Sequence, residues 1–375
     1  MIRVIQVISD TNIGGGGRSL LNYLACCDLS RFSPSVVLPR GSALTERVRA
    51  LDVPVEEIDA MADQSLDWKA VPPLVRIFRR EKPDLVHTHG SLSGRIAARI
   101  AGCRVVYTRH CAFPPGRLIS SPPGRLANRI LDGLLSDGTI AIGAAAKEIL
   151  VATGIPEDKI HVMLNGVAPL PRPTPEERQA LRAHYGFSER DFVAGILARV
   201  EEYKGHGLLL QAAAALAEEG RPIKILVAGT GPFEDELRLR SLSLPQDTVV
   251  FAGFVTDVER AFGAMDVQVN ASYVSEASPL SLLEGMSMGL PAVVSDCGGN
   301  PLHVTDGENG LIFPSGDVPT LTACLRRLMD EPDTLARLSQ GALQVFQQRF
   351  TGEIFARKLE EIYLQTLKGV QHGRK

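Results

Sequence analysis

Strand-like apolar runs alternate with amphipathic helical segments along nearly the whole chain, and this pattern constrains the fold more than any other feature. Such alternation is typical of a parallel sheet covered by helices on both faces. The strand-like runs are residues 2–9, 33–39, 84–89, 104–110, 138–143 and 160–166, followed by 192–199, 223–229, 248–253, 267–272, 291–296 and 310–314. The helical segments between them include residues 18–27, 70–80 and 90–100. The sequence therefore predicts an α/β protein.

A proline-rich stretch at residues 168–177 interrupts the alternation, and the same pattern then restarts. Proline is unfavourable in helix interiors and central strands, so we interpret this stretch as an interdomain linker. The length of 375 residues also suits two domains with separate cores. We predict two doubly wound domains in tandem, with a ligand in the cleft between them at the carboxyl ends of their strands.

Composition narrows the class of protein further. Hydrophobic residues make up 45% of the chain and charged residues 22%, as in ordinary globular proteins. The N-terminus lacks the pattern of a signal peptide, and no run of about 18 uncharged apolar residues is long enough to span a bilayer, so we expect a cytoplasmic protein. The six cysteines include no CxxC pair, which argues against a zinc site or a disulfide framework.

A run of four glycines follows the first strand-like segment, within the stretch from Asn12 to Arg18. Glycines let the backbone approach a phosphate, and a helix that begins there presents unpaired N–H groups. The run has neither the GxGxxG spacing of a dinucleotide site nor the GK[ST] ending of a P-loop. We interpret it as a phosphate or acceptor contact, with a flexible turn as the alternative.

Two further segments carry residues suited to a nucleotide sugar. Arg199 and Lys204 follow the first strand of the second half, where a guanidinium fork and a point charge suit a diphosphate, although an exposed pair of cations is also common. Glu276 precedes a helix that we expect to have Pro279 in its first turn, and Glu284 lies inside that helix among apolar residues. A carboxylate there requires a hydrogen-bonding partner, and sugar hydroxyls are suitable ones.

Glu276 and Glu284 match the E-x7-E pattern of retaining GT-B glycosyltransferases, and the chain resembles glycosyltransferase family 4. The resemblance runs nearly from end to end and includes the glycine loop, DLVHTH and VVYTRH, NGV before the linker, ARVEEYKG, VAGTGP, FAGFV and the GG…DGENGLIF…GD tail. It implies a GT-B fold with two Rossmann-like doubly wound domains facing across a cleft: an acceptor-side domain at 1–168 and a donor-binding domain at 175–350. It also implies that a C-terminal helix at about 351–375 packs back on the first domain.

The resemblance implies a role for each motif. Arg199 and Lys204 would neutralise the donor diphosphate. Glu284 would bind the ribose hydroxyls and Glu276 the hydroxyls of the donor sugar, while His110 would lie beside the reacting sugar. The remaining predicted contacts are with the phosphate and acceptor for Gly14 and Gly15, with the nucleotide for Gly229 and Gly231, and with an anion for the backbone N–H groups of Leu280 and Ser281.

The sequence departs from the family pattern at two places. Relatives often carry Pro-Glu after the paired glycines, whereas here Gly298 and Gly299 are followed by Asn300. This change either alters a packing contact or changes the donor preference. Gly285 and Ser287 stand where alanines are usual, which lowers helix propensity.

These features predict a retaining glycosyltransferase that moves a hexose or N-acetylhexosamine from a nucleotide-diphosphate sugar, with uridine favoured, to a glycan or lipid-linked acceptor in envelope polysaccharide synthesis. No DxD-type carboxylate pair is present, so no metal or other cofactor is expected, and neither is a nucleic-acid partner. Two alternatives remain open: a sugar-nucleotide epimerase on the same fold and a non-catalytic sugar-binding protein.

The segment from Arg109 to Arg125 is basic and rich in proline, and it includes the apolar residues Phe113, Leu118 and Ile119. Net charge is −3, with a small positive excess in the first half of the chain. The segment therefore indicates either peripheral contact with the cytoplasmic face of the inner membrane or an ordinary surface loop.

Other histidines of the chain are predicted to lie in different surroundings. For His87 and His89, which end one strand, we expect His89 to face the cleft and His87 to pack under the sheet, with ordinary core packing as the alternative. We expect three others to be surface residues: His206, His303 and His372.

Overall fold

The computed structural model describes residues 1–59 and 61–369. The chain divides into two compact units: Met1–Ala168 together with the chain from Gly352 onward, and Pro169–Thr351. The polypeptide therefore passes from one unit to the other twice. His372 and residues 370–375 of the expected C-terminal helix lie outside the described residues.

The first unit alternates strands and helices in the order that the apolar runs predict. Its elements up to Ala168 are β1 (Ile2–Ile8), α1 (Gly15–Cys26), β2 (Phe32–Pro39), α2 (Leu44–Arg49), β3 (Val55–Ile58), α3 (Val71–Glu81), β4 (Leu85–His89), α4 (Leu92–Ile100), β5 (Arg104–Arg109), α5 (Arg117–Ser120), α6 (Pro122–Leu135), β6 (Gly138–Ile142), α7 (Ala144–Ala152) and β7 (Ile160–Met163).

The second unit repeats this arrangement. Its elements are α8 (Pro175–His184), β8 (Val193–Leu197), α9 (His206–Glu218), β9 (Lys224–Ala228), α10 (Glu234–Ser241), β10 (Val249–Gly253), α11 (Val258–Ala264), β11 (Val267–Asn270), α12 (Leu280–Ser287), β12 (Ala292–Ser295), α13 (Asn300–His303), β13 (Gly310–Phe313), α14 (Val318–Asp330) and α15 (Pro332–Arg349). The last helix, α16 (Gly352–Lys368), belongs to the first unit.

Each unit contains one parallel sheet, and each sheet has one point where the strand order reverses. The first has the order β3-β2-β1-β4-β5-β6-β7 and the second the order β10-β9-β8-β11-β12-β13. The order reverses between β1 and β4 in the first sheet, and between β8 and β11 in the second. Ligands of open α/β sheets bind outside the carboxyl ends of the strands at such points. Each sheet therefore has one position where a ligand site is expected: beyond the carboxyl ends of β1 and β4 in the first, and of β8 and β11 in the second.

The core of the first unit includes the apolar face of α16. Phe355, Leu359, Ile362 and Tyr363 are all buried, and the ring of Tyr363 meets that of Tyr23 edge-on at 6.0 Å. This helix therefore completes a core whose first strand lies 357 residues earlier in the chain, counted from Gln6 to Tyr363. Within the described residues, no helix is both long and apolar enough to span a membrane.

Several sequence-based expectations require correction. Helix α1 begins at Gly15 rather than at residue 18, so glycines form its first turn. Pro279 is the residue that precedes α12 and is not in its first turn. The proline-rich stretch does form helix at its end, because Pro175 opens α8 and Thr174 forms a capping box with Glu177.

Strand β3 was not predicted, because its centre is Glu56 and Glu57 and the segment lacks an apolar run. The strand lies at the edge of the sheet, where charged side chains are tolerated and discourage pairing with other chains.

Candidate active site

A polar cluster of the second unit forms at the carboxyl ends of β8 and β11. The Glu276 carboxylate is 9% exposed, and its Oε2 atom accepts hydrogen bonds from Lys204 Nζ at 2.8 Å and Ser272 Oγ at 3.0 Å. Asn270 Nδ2 donates to the same oxygen at 3.3 Å. A buried carboxylate is stable when it is paired and hydrogen-bonded in this way. Lys204 and Glu276, separated by 72 residues in the chain, thus form one site.

The turn that carries Lys204 depends on a glycine. Gly205 has a φ of +76°, and a Cβ atom added there would lie 2.1 Å from the Ala271 carbonyl oxygen. Only glycine fits this left-handed position in such close contact with the chain after β11. The close approach holds Lys204 beside Glu276.

The loop that carries Glu276 is held from the other side by the paired glycines. Added Cβ atoms would lie 2.2 Å from the Glu276 carbonyl oxygen at Gly298 and 1.8 Å from the Ala277 carbonyl oxygen at Gly299. Gly299 N–H also donates to the Glu276 carbonyl at 2.9 Å. The Gly-Gly pair is therefore a backbone cradle for this loop.

His303 fastens the same loop, and the expectation that it lies on the surface is wrong. It is 1% exposed, its Nδ1–H donates to the Gly299 carbonyl at 2.7 Å, and Nε2 accepts from Ser278 Oγ at 2.9 Å. Burial lowers the pKa of His303 to about 4, so the ring is neutral at pH 7. His206, expected on the surface as well, is also 1% exposed because it opens α9 against the core.

The other predicted donor-side residues differ in their exposure. The Arg199 side chain is 74% exposed and forms an ion pair with Glu201 at 2.9 Å. Leu280 and Ser281 are the first two residues of α12, so their N–H groups have no carbonyl partner within the helix. Glu284 is buried inside α12.

Three glycines near the donor-side residues are required because the chain packs too closely there for a side chain. Added Cβ atoms would lie 1.9 Å from the Ala198 carbonyl oxygen at Gly229 and 2.3 Å from the Val200 carbonyl oxygen at Gly231, so both allow the turn after β9 to approach the end of β8. Gly285 makes room for the buried side chain of Gln268, whose amide oxygen would lie 2.4 Å from an added Cβ. An alanine at this position would overlap that side chain.

In the first unit, the glycine run lies at the carboxyl end of β1. Gly14 precedes α1, and apart from the helix's own backbone no atom of the described residues lies within 4 Å of a Cβ added at Gly15, so the space over the start of the helix is open. Gly17 has a structural role, because its Cβ would lie 2.9 Å from Leu44. A Cβ at Gly16 would lie 3.4 Å from the His110 ring and 3.7 Å from the Asp10 carboxylate. The run therefore lies beside both of these titratable side chains.

His110 ends a buried chain of hydrogen bonds. Its Nε2 atom lies 2.8 Å from His89 Nδ1, and His89 Nε2 lies 3.0 Å from Gln6 Oε1. Gln6 Nε2 donates to the Tyr363 hydroxyl at 3.0 Å, and that oxygen lies 2.7 Å from His87 Nδ1. The expectation that His87 and His89 have different surroundings is wrong. Both are buried in one network, because alternate residues of a strand point to the same face.

Burial keeps these three histidines neutral at pH 7. It lowers the pKa of His110 to about 4 and that of His87 to about 3, and it lowers the pKa of His89 well below its ordinary value. The cavity beneath His110 measures about 10 Å³, which is close to the space one water molecule needs. His110 is half-buried, whereas Gln6, His87, His89 and Tyr363 are buried, so His110 is the member of the network that a substrate can reach.

Asp10 was missed by the sequence analysis, although an aspartate that follows a buried strand and precedes a glycine run was a usable signal. Burial, followed by the charge of Asp63, raises the pKa of Asp10 to about 6. Perturbed carboxylates of this kind are concentrated at functional sites. Gln6 and Tyr363 were also missed, and no local pattern marks them.

With two doubly wound units, each with a polar cluster at its switch point, the chain has the GT-B fold. Residues 177–345 match the family model described as glycosyl transferases group 1, and residues 13–169 match the one described as glycosyltransferase family 4. The chain belongs to the glycosyltransferases that these two models describe.

Relatives match over most of the chain. The D-inositol 3-phosphate glycosyltransferase 1 of Catenulispora acidiphila is 29% identical, over 88% of this chain and 87% of its own. The UDP-Gal:alpha-D-GlcNAc-diphosphoundecaprenol alpha-1,3-galactosyltransferase of Escherichia coli is 28% identical, over 78% of each chain. The crystal structure of Anabaena Alr3699/HepE in complex with UDP superposes with a TM-score of 0.84 at 21% identity, covering 97% of this chain and 100% of that one.

Proposed function

We propose that the chain is a retaining glycosyltransferase that moves a hexose or N-acetylhexosamine from a UDP-sugar to a glycan or lipid-linked acceptor in envelope polysaccharide synthesis. The observation that carries the proposal is the Lys204–Glu276 pair at the switch point of the second sheet. The pair joins a cation suited to a diphosphate with a carboxylate suited to sugar hydroxyls. It lies in a chain whose two halves match two glycosyltransferase family models.

The donor is held by the second unit in this proposal. Arg199 is exposed and free to turn from Glu201 toward the diphosphate, whereas Lys204 shares its charge between the diphosphate and Glu276. Glu276 then binds hydroxyls of the donor sugar and Glu284 those of the ribose. The choice of uridine is supported by the names of similar proteins, which include a UDP-galactose enzyme and a UDP complex.

The reaction is a same-face displacement. The acceptor oxygen forms a bond to the anomeric carbon while the bond from that carbon to the diphosphate oxygen breaks, and the acceptor proton passes to the departing oxygen. Arg199 and Lys204 stabilise the negative charge that develops there. These two cations supply the charge that a metal would otherwise supply, so we propose a metal-independent reaction, which chelator should leave unchanged.

The acceptor is proposed on the side of the first unit, near Gly14, Gly15 and His110. The open start of α1 offers N–H groups to an acceptor phosphate, as a diphosphate-linked glycan would carry. His110, neutral at pH 7, offers one ring nitrogen to a hydroxyl.

Donor binding tests the proposal directly. Calorimetry with UDP-glucose, UDP-galactose, their N-acetyl forms, UDP-glucuronate and GDP-mannose should find one tight ligand among the UDP-sugars. Arg199→Ala should weaken that binding by about tenfold or more, since a charge-assisted hydrogen bond contributes about 1.5–3 kcal/mol. Arg190→Ala is the matched control, because Arg190 is exposed but precedes β8 and lies at the opposite edge of the sheet. Equal effects of the two substitutions would contradict the proposal.

Lys204→Ala has a different expected outcome, because it also leaves the buried Glu276 without its cation. We expect lower stability together with lost binding.

Nucleotide release separates the alternative functions. A transferase releases UDP in proportion to added acceptor, an epimerase converts the donor without one, and a sugar-binding protein releases none.

A further inference from the structure

The first unit exposes an unusual number of large apolar side chains in one short stretch. Their exposure ranges from 39% for Leu131 to 82% for Leu118. We call this surface the α5–α6 face, and it consists of Phe113, Leu118, Ile119, Leu126, Ile130, Leu131 and Leu134. Contiguous exposed apolar surface of this kind marks a site of interaction.

The apolar residues of α6 form one stripe. Leu126, Ile130 and Leu134 are spaced by four residues, so they lie above one another on the same side of the helix. Of the 14 residues of α6, only Asp132 and Leu135 are buried. The stripe therefore faces outward along the whole helix.

The opposite side of α6 packs on the first unit. The stripe is therefore exposed on a helix that is already held in place. Asp132 accepts a hydrogen bond from Arg95 at 2.6 Å with both side chains buried, and Asn128 donates to the Thr153 carbonyl at 2.9 Å. The glycine at position 154 lets the backbone of α6 approach closely, since a Cβ there would lie 2.4 Å from the Arg125 carbonyl oxygen. These contacts fix which side of the helix points outward.

The charged side chains within residues 111–131 are all positive. Arg117, Arg125 and Arg129 are exposed, and within the described residues none of them has an ion-pair partner. Residues 111–131 contain no aspartate or glutamate. The next acidic residue, Asp132, is neutralised in the interior by Arg95. The surface therefore combines apolar area with unbalanced positive charge.

We propose that the α5–α6 face docks on a lipid bilayer that contains anionic lipids. The leucines and isoleucines enter the boundary between head groups and acyl chains, and the arginines contact the anionic head groups. Charge argues against a second copy of the chain as the occupant, because a twofold interface would bring the same arginines from both copies together. The inference rests on the proposed function in that docking brings the first unit to a lipid-linked acceptor.

Vesicle flotation with the full chain tests this. Vesicles of phosphatidylcholine with about one third phosphatidylglycerol should bind the protein, and phosphatidylcholine alone should bind it far more weakly. The triple substitution Leu126→Ser, Ile130→Ser and Leu134→Ser should lower binding by about tenfold or more. Its matched control, Leu239→Ser with Leu242→Ser, removes two exposed leucines of the second unit and should leave binding unchanged.

Charge reversal provides an independent arm. Arg125→Glu with Arg129→Glu should weaken binding and reduce its dependence on salt, whereas Arg47→Glu with Arg76→Glu, at exposed positions of the same unit, should have much less effect. Circular dichroism and thermal unfolding check that each variant is folded, which we expect because all the altered side chains are exposed.

Two outcomes would overturn the inference. One is vesicle binding that is absent or insensitive to the triple substitution. The other is concentration-dependent dimerisation in ultracentrifugation that the triple substitution abolishes, which would identify a second copy as the occupant. Donor calorimetry on the same preparations keeps the two proposals apart: donor binding without vesicle binding contradicts the docking surface alone, and vesicle binding without donor binding contradicts the proposed function alone.

Discussion

At the scale of single residues, the hydrogen bonds around His110 determine which ring nitrogen carries its proton. Gln6 Oε1 only accepts, so His89 Nε2 must carry hydrogen, and the neutral His89 then accepts at Nδ1 from His110 Nε2–H. The neutral His110 is therefore left with a lone pair on Nδ1. That nitrogen is an acceptor suited to a substrate hydroxyl.

We therefore expect long-range proton–nitrogen correlation spectra to show His110 as the Nε2–H tautomer, and to show it still neutral at about pH 5.5, because burial lowers its pKa to about 4. His184, on the exposed surface of α8, provides the reference signal of a solvent-exposed histidine. An Nδ1–H tautomer at His110 would mean that the amide of Gln6 has the reverse orientation, and it would remove the proposed acceptor.

Asp10 makes the stability of the first unit depend on pH. Its pKa is raised from 3.8 to about 6, so the folded state holds a proton that the unfolded chain loses earlier. This contribution to stability is fully present below pH 3.8 and is lost as pH rises through about 6. Asp10→Asn should therefore raise the unfolding temperature near pH 8, on the order of 2 °C, and the gain should vanish near pH 4.

Thermal unfolding from about pH 4 to pH 8 measures this effect. The substitution Asp63→Asn removes the second cause of the raised Asp10 pKa. It should therefore lower the pH at which the contribution of Asp10 to stability is lost. A gain from Asp10→Asn that is the same at both ends of the range would show that Asp10 is not the titrating group.

At the scale of elements, the turn between β8 and α9 is the most demanding piece of the donor site. Gly205→Ala combines a left-handed φ of +76° with a Cβ placed 2.1 Å from a carbonyl oxygen. The expected loss in the free energy of unfolding is about 2–5 kcal/mol, together with weaker donor binding because Lys204 moves. Gly220→Ala is the matched control: its φ is +75°, but its Cβ would have no atom of the described part of the chain within 4 Å, so a loss of about 1–2 kcal/mol and no loss of donor binding are expected. Similar donor binding in both variants would contradict this role of the turn.

The elements also show what could be predicted from the sequence. The predicted strands are present because each is an apolar run between polar turns, which a buried parallel sheet requires. Position after a strand was enough to select Lys204 and Glu276. Their pairing was not predictable, because it depends on Gly205 approaching Ala271 in space. The Gln6–Tyr363 bond joins residues 357 positions apart, so no local pattern predicts it.

At the scale of the whole molecule, both units have the same architecture, and each has its own sheet and its own switch point. Every strand of both sheets is parallel, so all the carboxyl ends of a sheet meet at one edge, and the reversal of strand order opens a space there. One unit places an acidic residue, glycines and a histidine at that edge, and the other places Lys204 and Glu276. The two halves of the proposed chemistry therefore arise from one repeated fold plan.

The return of the chain through α16 makes the stability of the first unit depend on its last helix. Leu359 is 3% exposed in the core of that unit, so Leu359→Ala should cost about 2–5 kcal/mol. Hydrogen exchange should then accelerate in β1 and β4, while β8 and β11 keep their rates. Leu325→Ala, at a fully buried position of the second unit, is the mirror control and should accelerate exchange in β8 and β11 only. Equal acceleration in both units after either substitution would mean that the two units unfold together, and that α16 stabilises the molecule rather than the unit it completes.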